Sequence, residues 1–171
     1  GYASEQNLGI QLHLAENQTE VDSCLDRTGM TPGELLSCHR LFAVPAAAAG
    51  CSYLTPEEAK LLGKKHASAV ALPLSNAKNG IKCAPILDLV KSGMNVCLGT
   101  DGAIQAGNLD MFEVMRGAAM SVRASTGDPA ALPSSAALMM ATVCGAQAQG
   151  RSAECGMLKE GMDADIVLVD F

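Results

Sequence analysis

A histidine and a glutamate lie three residues apart at the point where a predicted strand gives way to a polar run. His13 falls within residues 11–15, and Glu16 begins the polar stretch that continues to residue 20. One interpretation is a hydrogen-bonded histidine followed by a glutamate that caps a helix. The other is a metal ligand followed by a proton carrier, since imidazole binds divalent ions and a carboxylate can transfer protons. These residues alone leave both interpretations open.

An aspartate follows a second predicted strand in the same way. Asp101 lies in the glycine-flanked stretch LGTDGA, where the backbone can approach a bound group closely. Taken alone, it could equally cap the next helix or shape the turn. If His13 and Asp101 meet at one end of a sheet, the pair suits zinc or a similar divalent ion. Such an ion makes hydroxide available near neutral pH, and Glu16 could carry the proton to a leaving amine.

The remaining histidines add little to this site. His39 lies in a predicted helix, and His66 follows two lysines near a helix end, where positive charge is favourable. We interpret both as surface or capping residues. Two protein ligands are fewer than the three that usually hold a catalytic zinc.

The elements that must position these residues alternate between strand and helix. Strands are predicted at 9–15, 44–52, 67–75, 94–103 (running into a glycine-rich loop) and 164–171. Helices are predicted at 17–28, from 31 onward, from 55 to about 66, and at 84–93, 108–124 and 134–148, with a loop at 76–82. Strand–helix units in series indicate a parallel sheet with right-handed crossovers, and chemistry in such folds lies at the carboxyl ends of the strands.

Composition narrows the class of protein. The 171 residues are 49% hydrophobic and only 3% aromatic, which predicts a globule with a core of Ala, Leu, Val, Met and Cys. A net charge of −6 without a basic cluster argues against nucleic-acid binding. No apolar run is long enough for a membrane span. Scattered cysteines without C-x-x-C spacing predict a reduced, cytoplasmic protein without a disulfide framework: Cys24, Cys38, Cys51, Cys83, Cys97, Cys144 and Cys155.

Several stretches together resemble the amidohydrolase superfamily, in the branch of the S-adenosylhomocysteine/methylthioadenosine, guanine and chlorotriazine deaminases. They are HLAE, LPLSNAKNGIKCAPILDLVKSGMNVCLGTDGA, NLDMFEVMRGA, ATVCGAQAQG and GMLKEGMDADIVLVDF. The resemblance covers nearly the whole chain but only the second half of such an enzyme. It implies an α/β fold in which residues 1–155 form strands five to eight of a (β/α)8 barrel. Residues 156–171 would then return to a small β-sandwich.

The resemblance also implies roles. His13 would bind metal from the fifth strand, Glu16 would shuttle protons, and Asp101 would bind metal and orient the attacking water. Ser75 and Asn76 match a family Ser-Asn pair, to which no role is assigned. The implied activity is metal-dependent hydrolysis of a C–N bond in a small amine or nucleobase-like substrate, with zinc or iron as the metal.

Three departures set this chain apart from the family pattern. The H-x-H pair of the family's first strand has no counterpart here. Gly50 and Ala71 stand where relatives carry histidines at the end of the sixth strand and on the seventh. Losing a positioned acid or base costs on the order of 10²–10⁴ in rate. We therefore expect weak metal binding and little activity in this chain alone, with an inactive scaffold or binding protein as the alternative.

The same departures predict that this chain associates with another chain. Four strands cannot close a barrel, so free strand edges and apolar faces would remain exposed. We expect the chain to pair with a second copy or with a complementing first half.

Overall fold

A computed structural model describes residues 2–6, 8–65 and 67–170 of the chain. Its centre is a four-stranded parallel sheet in the order β1-β2-β3-β4, as the alternating pattern predicts. Leu14 pairs with Gly50 and Ala71 pairs with Leu98, so the carboxyl ends of the strands lie at one edge of the sheet. The strands are β1 (Ile10–Leu14), β2 (Ala46–Gly50), β3 (Ala67–Ala71) and β4 (Asn95–Leu98).

Helices follow each strand. They are α1 (Tyr2–Glu5), α2 (Gln18–Thr28), α3 (Pro32–Cys38), α4 (Pro56–Gly63), α5 (Pro73–Lys78), α6 (Ile86–Lys91), α7 (Ala103–Ala106), α8 (Met111–Thr126), α9 (Ser134–Ala141) and α10 (Val143–Ala148), with a short 3₁₀ turn at Leu41–Ala43. Within the part of the chain that is described, no helix combines the length and the apolar character needed to cross a membrane.

Local sequence signals explain where the crossover helices begin and end. Thr31 and Thr55 open α3 and α4 with the predicted capping boxes, each with a proline in the first helical turn. Gly29 ends α2 in the left-handed conformation, at φ 70°. That conformation costs a residue with a Cβ about 1–2 kcal/mol, which explains the glycine.

One buried carboxylate joins two of these helices. Glu58 is only 3% exposed, although its side chain is polar. Its Oε2 accepts the Thr55 N–H at 2.8 Å within the α4 capping box. Its Oε1 accepts the Gly33 N–H at 2.9 Å, in the first turn of α3. A single side chain therefore satisfies backbone donors at the beginnings of both helices, which need such partners.

Small and aliphatic side chains build the core, as composition predicts. Strand β2 is almost entirely alanine, and Ala48, Ala69 and Ala71 are fully buried. The largest fully buried side chains on this cluster include Leu14, Leu62, Ile86, Leu89 and Val114. Such small residues on the strands let the crossover helices lie close to the sheet.

The prediction of a final strand at 164–171 is wrong for the residues described. Residues 163–170 have no regular secondary structure and are exposed, while Phe171 lies outside the described residues. A strand requires a neighbouring strand to accept and donate its ladder hydrogen bonds. The described residues provide none beside this segment. Assignment of residues 156–171 to a β-sandwich stays a prediction, as does the boundary at 155.

Several element boundaries also differ from those predicted. Strand β3 ends at Ala71 rather than at 75, because Pro73 starts α5, so Ser75 and Asn76 are helical rather than part of a strand and loop. The predicted helix 134–148 is interrupted at Thr142, where φ is −122° and ψ is −85°. Helix α4 ends at Gly63, and His66 lies outside the described residues.

Candidate active site

The candidate site is assembled from the two edge strands of the sheet. His13 is the fourth residue of β1, and Asp101 follows the end of β4 by three residues. Three interstrand spacings of 4.7–4.9 Å separate β1 from β4, or about 14 Å across a flat sheet. The two side chains nevertheless come within 4.0 Å of each other. They therefore meet over the carboxyl ends of β2 and β3, as strand-end chemistry predicts.

Three ionisable side chains converge at this point. His13 Nε2 lies 4.0 Å from Asp101 Oδ1 and 3.9 Å from Glu16 Oε1. Asp101 is the most enclosed, with 18% of its side chain exposed, against 52% for His13 and 38% for Glu16. The predicted proximity of His13 and Asp101 is thus observed. Their roles as metal ligands stay a prediction.

Both oxygens of the Asp101 carboxylate accept hydrogen bonds. Ser75 Oγ donates to Oδ2 at 2.6 Å, and the Gly102 N–H donates to Oδ1 at 2.8 Å. The backbone of Asp101 is left-handed, at φ 60°, a conformation uncommon outside glycine. Aspartate is one of the residues that adopt this conformation more readily than most.

A further carboxylate, which the predictions from sequence missed, shapes the turn that carries Glu16. Glu20 Oε1 accepts the Ala15 N–H at 2.9 Å, and Glu20 Oε2 accepts the Glu16 N–H at 2.8 Å. The Glu20 N–H itself donates to Asn17 Oδ1 at 2.9 Å. The signal was present in the sequence, because an Asn followed three residues later by a Glu has the spacing of a capping box.

Gly50 faces the Glu16 side chain directly. It ends β2 with φ 91°, and a Cβ built there would lie 2.8 Å from Glu16 Cγ. A histidine at this position would therefore displace Glu16 or shift the backbone. Ala71, the other departure from the family pattern, is fully buried at the end of β3.

The chemistry of these side chains fits part of a metal site. The 4.0 Å separation between His13 Nε2 and Asp101 Oδ1 equals two metal bonds of about 2 Å each placed end to end, so the two atoms must move closer together to share a tetrahedral ion. The described residues contain no group of three or more His, Cys, Asp or Glu side chains placed to hold an ion. His39 is exposed at the end of α3, as predicted for a surface residue.

Comparison with known proteins identifies the family of this chain. The family model described as "Amidohydrolase family" matches residues 2–171, and the chain belongs to that family. The parallel sheet and the converging His13, Glu16 and Asp101 are consistent with this membership.

Individual relatives are deaminases. A 5-methylthioadenosine/S-adenosylhomocysteine deaminase of Pelotomaculum thermopropionicum is 42% identical over 99% of this chain and 39% of its own length. A zinc-bound adenosine deaminase structure from Xanthomonas campestris superposes with a TM-score of 0.91 at 30% identity, covering 96% of this chain and 37% of that one. A guanine deaminase from C. acetobutylicum with bound guanine gives a TM-score of 0.83 at 27% identity, covering 95% and 39%. The chain thus spans about two fifths of these proteins.

Proposed function

We propose that His13, Asp101 and Glu16 form one side of a metal-dependent active site that hydrolyses the C–N bond of a ring amine. The observation that carries this proposal is their approach to 3.9–4.0 Å over the carboxyl ends of the sheet. Membership of the amidohydrolase family supports it, since the relatives described above are named as deaminases. An adenosine-like nucleoside or a purine base is the proposed substrate class.

Each side chain has a distinct task in this proposal. His13 Nε2 and Asp101 Oδ1 would hold a divalent ion, for which zinc is the first choice because imidazole and carboxylate both suit it. The ion, when bound, lowers the pKa of its water toward 7. Asp101 is fixed by two hydrogen bonds and would accept a hydrogen bond from the attacking water. Glu16 would take up the water proton and deliver it to the leaving amine.

Further ligands are required for tight binding. Catalytic zinc usually has three protein ligands, and the described residues bring together two. We propose that the others come from the part of the family barrel that this chain does not span, in a complementing segment or chain. Metal binding by these two side chains alone is then weak.

A non-catalytic scaffold is the second candidate. Gly50 has no side chain to donate, accept or transfer a proton, and the Glu16 side chain lies where a larger residue at position 50 would project. Ala71 likewise offers no acid or base. These two positions favour a protein that keeps the fold and has lost part of the chemistry.

Mn²⁺ titration followed by ¹H–¹⁵N NMR tests the site itself. Because paramagnetic broadening detects millimolar affinity, we expect selective loss of the Leu14 and Gly102 amide signals. His13→Ala and Asp101→Ala should abolish this selectivity, while His39→Ala, which removes an exposed histidine, should not. Broadening that persists unchanged in both site variants would refute the proposal.

Ammonia release separates the two candidate functions. The chain would be combined with the first half of a deaminase relative and assayed with zinc on adenosine and guanine. The enzyme hypothesis expects release that His13→Ala and Glu16→Gln abolish. Metal broadening without any ammonia release from the combined halves would favour the scaffold.

A further inference from the structure

A buried hydroxyl contacts the most enclosed carboxylate of the candidate site. Ser75, the third residue of α5, is 4% exposed. Its Oγ donates to Asp101 Oδ2 at 2.6 Å, a length typical of a charge-assisted O–H···O⁻ hydrogen bond. Such bonds are about twice as strong as neutral ones. Ser75 is therefore placed to fix the rotation of the Asp101 carboxylate.

The groups around Ser75 determine which atom receives its hydroxyl hydrogen. Asn79 Nδ2 donates to the Ser75 carbonyl oxygen at 2.9 Å and lies 3.5 Å from Ser75 Oγ, on the donor side. Because an amide NH₂ can only donate, the Ser75 hydroxyl hydrogen is left for Asp101. The two oxygens of Asp101 therefore have different neighbours: Oδ2 accepts from Ser75, whereas Oδ1 accepts the Gly102 N–H and faces His13 at 4.0 Å.

Helix α5 is itself fixed to the loops on either side. Lys78 Nζ donates to the Ile104 carbonyl oxygen at 2.6 Å, in α7 beyond Asp101. Asn76 Nδ2 donates to Ser52 Oγ at 2.7 Å, in the turn that follows β2. The helix therefore spans the ends of three neighbouring strands, and a hydroxyl mounted on it has a defined position relative to Asp101.

We propose that Ser75 is a positioning residue that presents Asp101 Oδ1 to the ion shared with His13. This inference rests on the proposed function, because it assigns Asp101 to the metal. Removing a hydrogen-bond partner of a metal ligand typically weakens metal binding by 10–100-fold. We expect Ser75→Ala to weaken Mn²⁺ binding by about tenfold, at the lower end of that range.

The experiment compares Ser75→Ala with a matched control. Ser68 is also 4% exposed, and its hydroxyl accepts from Asn95 Nδ2 at 3.0 Å within the sheet, so Ser68→Ala removes an equally buried hydroxyl elsewhere. Two readouts are measured for each variant: the Mn²⁺ dissociation constant from line broadening, and the chemical shift and exchange protection of the Gly102 amide without metal. The Gly102 N–H donates to Asp101 Oδ1 and therefore reports on the carboxylate directly.

In Ser75→Ala, the Gly102 signal should move, its exchange protection should fall, and Mn²⁺ affinity should drop. Ser75→Thr keeps the hydroxyl and should retain both properties, while Ser68→Ala should change neither. The inference is overturned if Gly102 is unaffected in Ser75→Ala, if Ser68→Ala produces equal losses, or if a Ser75→Thr protein with unchanged melting temperature behaves like Ser75→Ala. If the unsubstituted chain binds no Mn²⁺, the proposed function fails, and the Gly102 amide still decides whether Ser75 holds Asp101.

Discussion

Gly50→Ala tests whether Glu16 occupies the space above the end of β2. Gly50 has φ 91°, and the new Cβ would lie 2.8 Å from Glu16 Cγ. Left-handed backbone costs a residue with a Cβ about 1–2 kcal/mol. Displacing the Glu16 side chain from its position adds about 1 kcal/mol, the cost of a poor rotamer. Alanine offsets about 0.4–1 kcal/mol by restricting the unfolded chain. The expected net loss of stability is about 2 kcal/mol.

The assay is urea unfolding followed by circular dichroism. Two comparisons separate the cost of the left-handed backbone from the cost of displacing Glu16. Gly29→Ala is the control for backbone strain, since Gly29 has φ 70° and a Cβ added there would meet nothing within 4 Å. A double-mutant cycle with Glu16→Ala removes the collision and leaves the strain at position 50. We expect Gly50→Ala to cost about 1 kcal/mol more than Gly29→Ala, and the cycle to show a coupling energy of about that size.

Two results would refute this reasoning. Equal losses in Gly50→Ala and Gly29→Ala would show that nothing obstructs a side chain above Gly50. A coupling energy near zero would show that Glu16 is not the obstruction. In either case the contact described between Glu16 and position 50 would be wrong.

The free edges of β1 and β4 predict that chains associate, since each strand is paired on one side only within the described sheet. Light scattering should give a mass above that of one chain. A cooperatively melting monomer at micromolar concentration would contradict this. Burial raises the pKa of the Cys51 thiol, and it raises that of Cys97 to about 12. Because unfolded thiols ionise near pH 8.5, the free energy of unfolding should fall between pH 9 and 11, by up to about 1.4 kcal/mol per pH unit for each thiol. Urea unfolding across this range should show a shallower slope in a Cys51→Ala/Cys97→Ala variant, and an unchanged slope would contradict the assignment.

Much of the fold follows from local signals in the sequence. The capping boxes at Thr31 and Thr55 and the glycine after α2 locate helix ends because they satisfy or terminate backbone hydrogen bonds within a few residues. The predicted meeting of His13 with Asp101 followed from placing both residues at the carboxyl ends of parallel strands. The final strand failed because a strand depends on a distant partner rather than on its own residues.

The finer features of the site depend on tertiary contacts that sequence spacing does not encode. Ser75 and Asp101 are 26 residues apart, and their hydrogen bond requires α5 to begin at Pro73 and to lie beside the loop after β4. The contact between Glu16 and Gly50 likewise depends on the register of β1 and β2. A capping role for Glu20 could be predicted from its spacing to Asn17, but its two backbone partners could not.

The buried Glu58 carboxylate has a consequence for how the molecule opens. If α3 moves away, Glu58 loses the Gly33 N–H; if α4 unwinds at its first turn, the carboxylate loses the Thr55 N–H. Either event removes one of the two backbone hydrogen bonds to the carboxylate, at a cost of about 1–3 kcal/mol. The crossover after β1 and the crossover after β2 are thereby coupled, so that local unfolding of one helix favours unfolding of the other. Fluctuations in this part of the protein are therefore expected to involve both helices as a single cooperative unit.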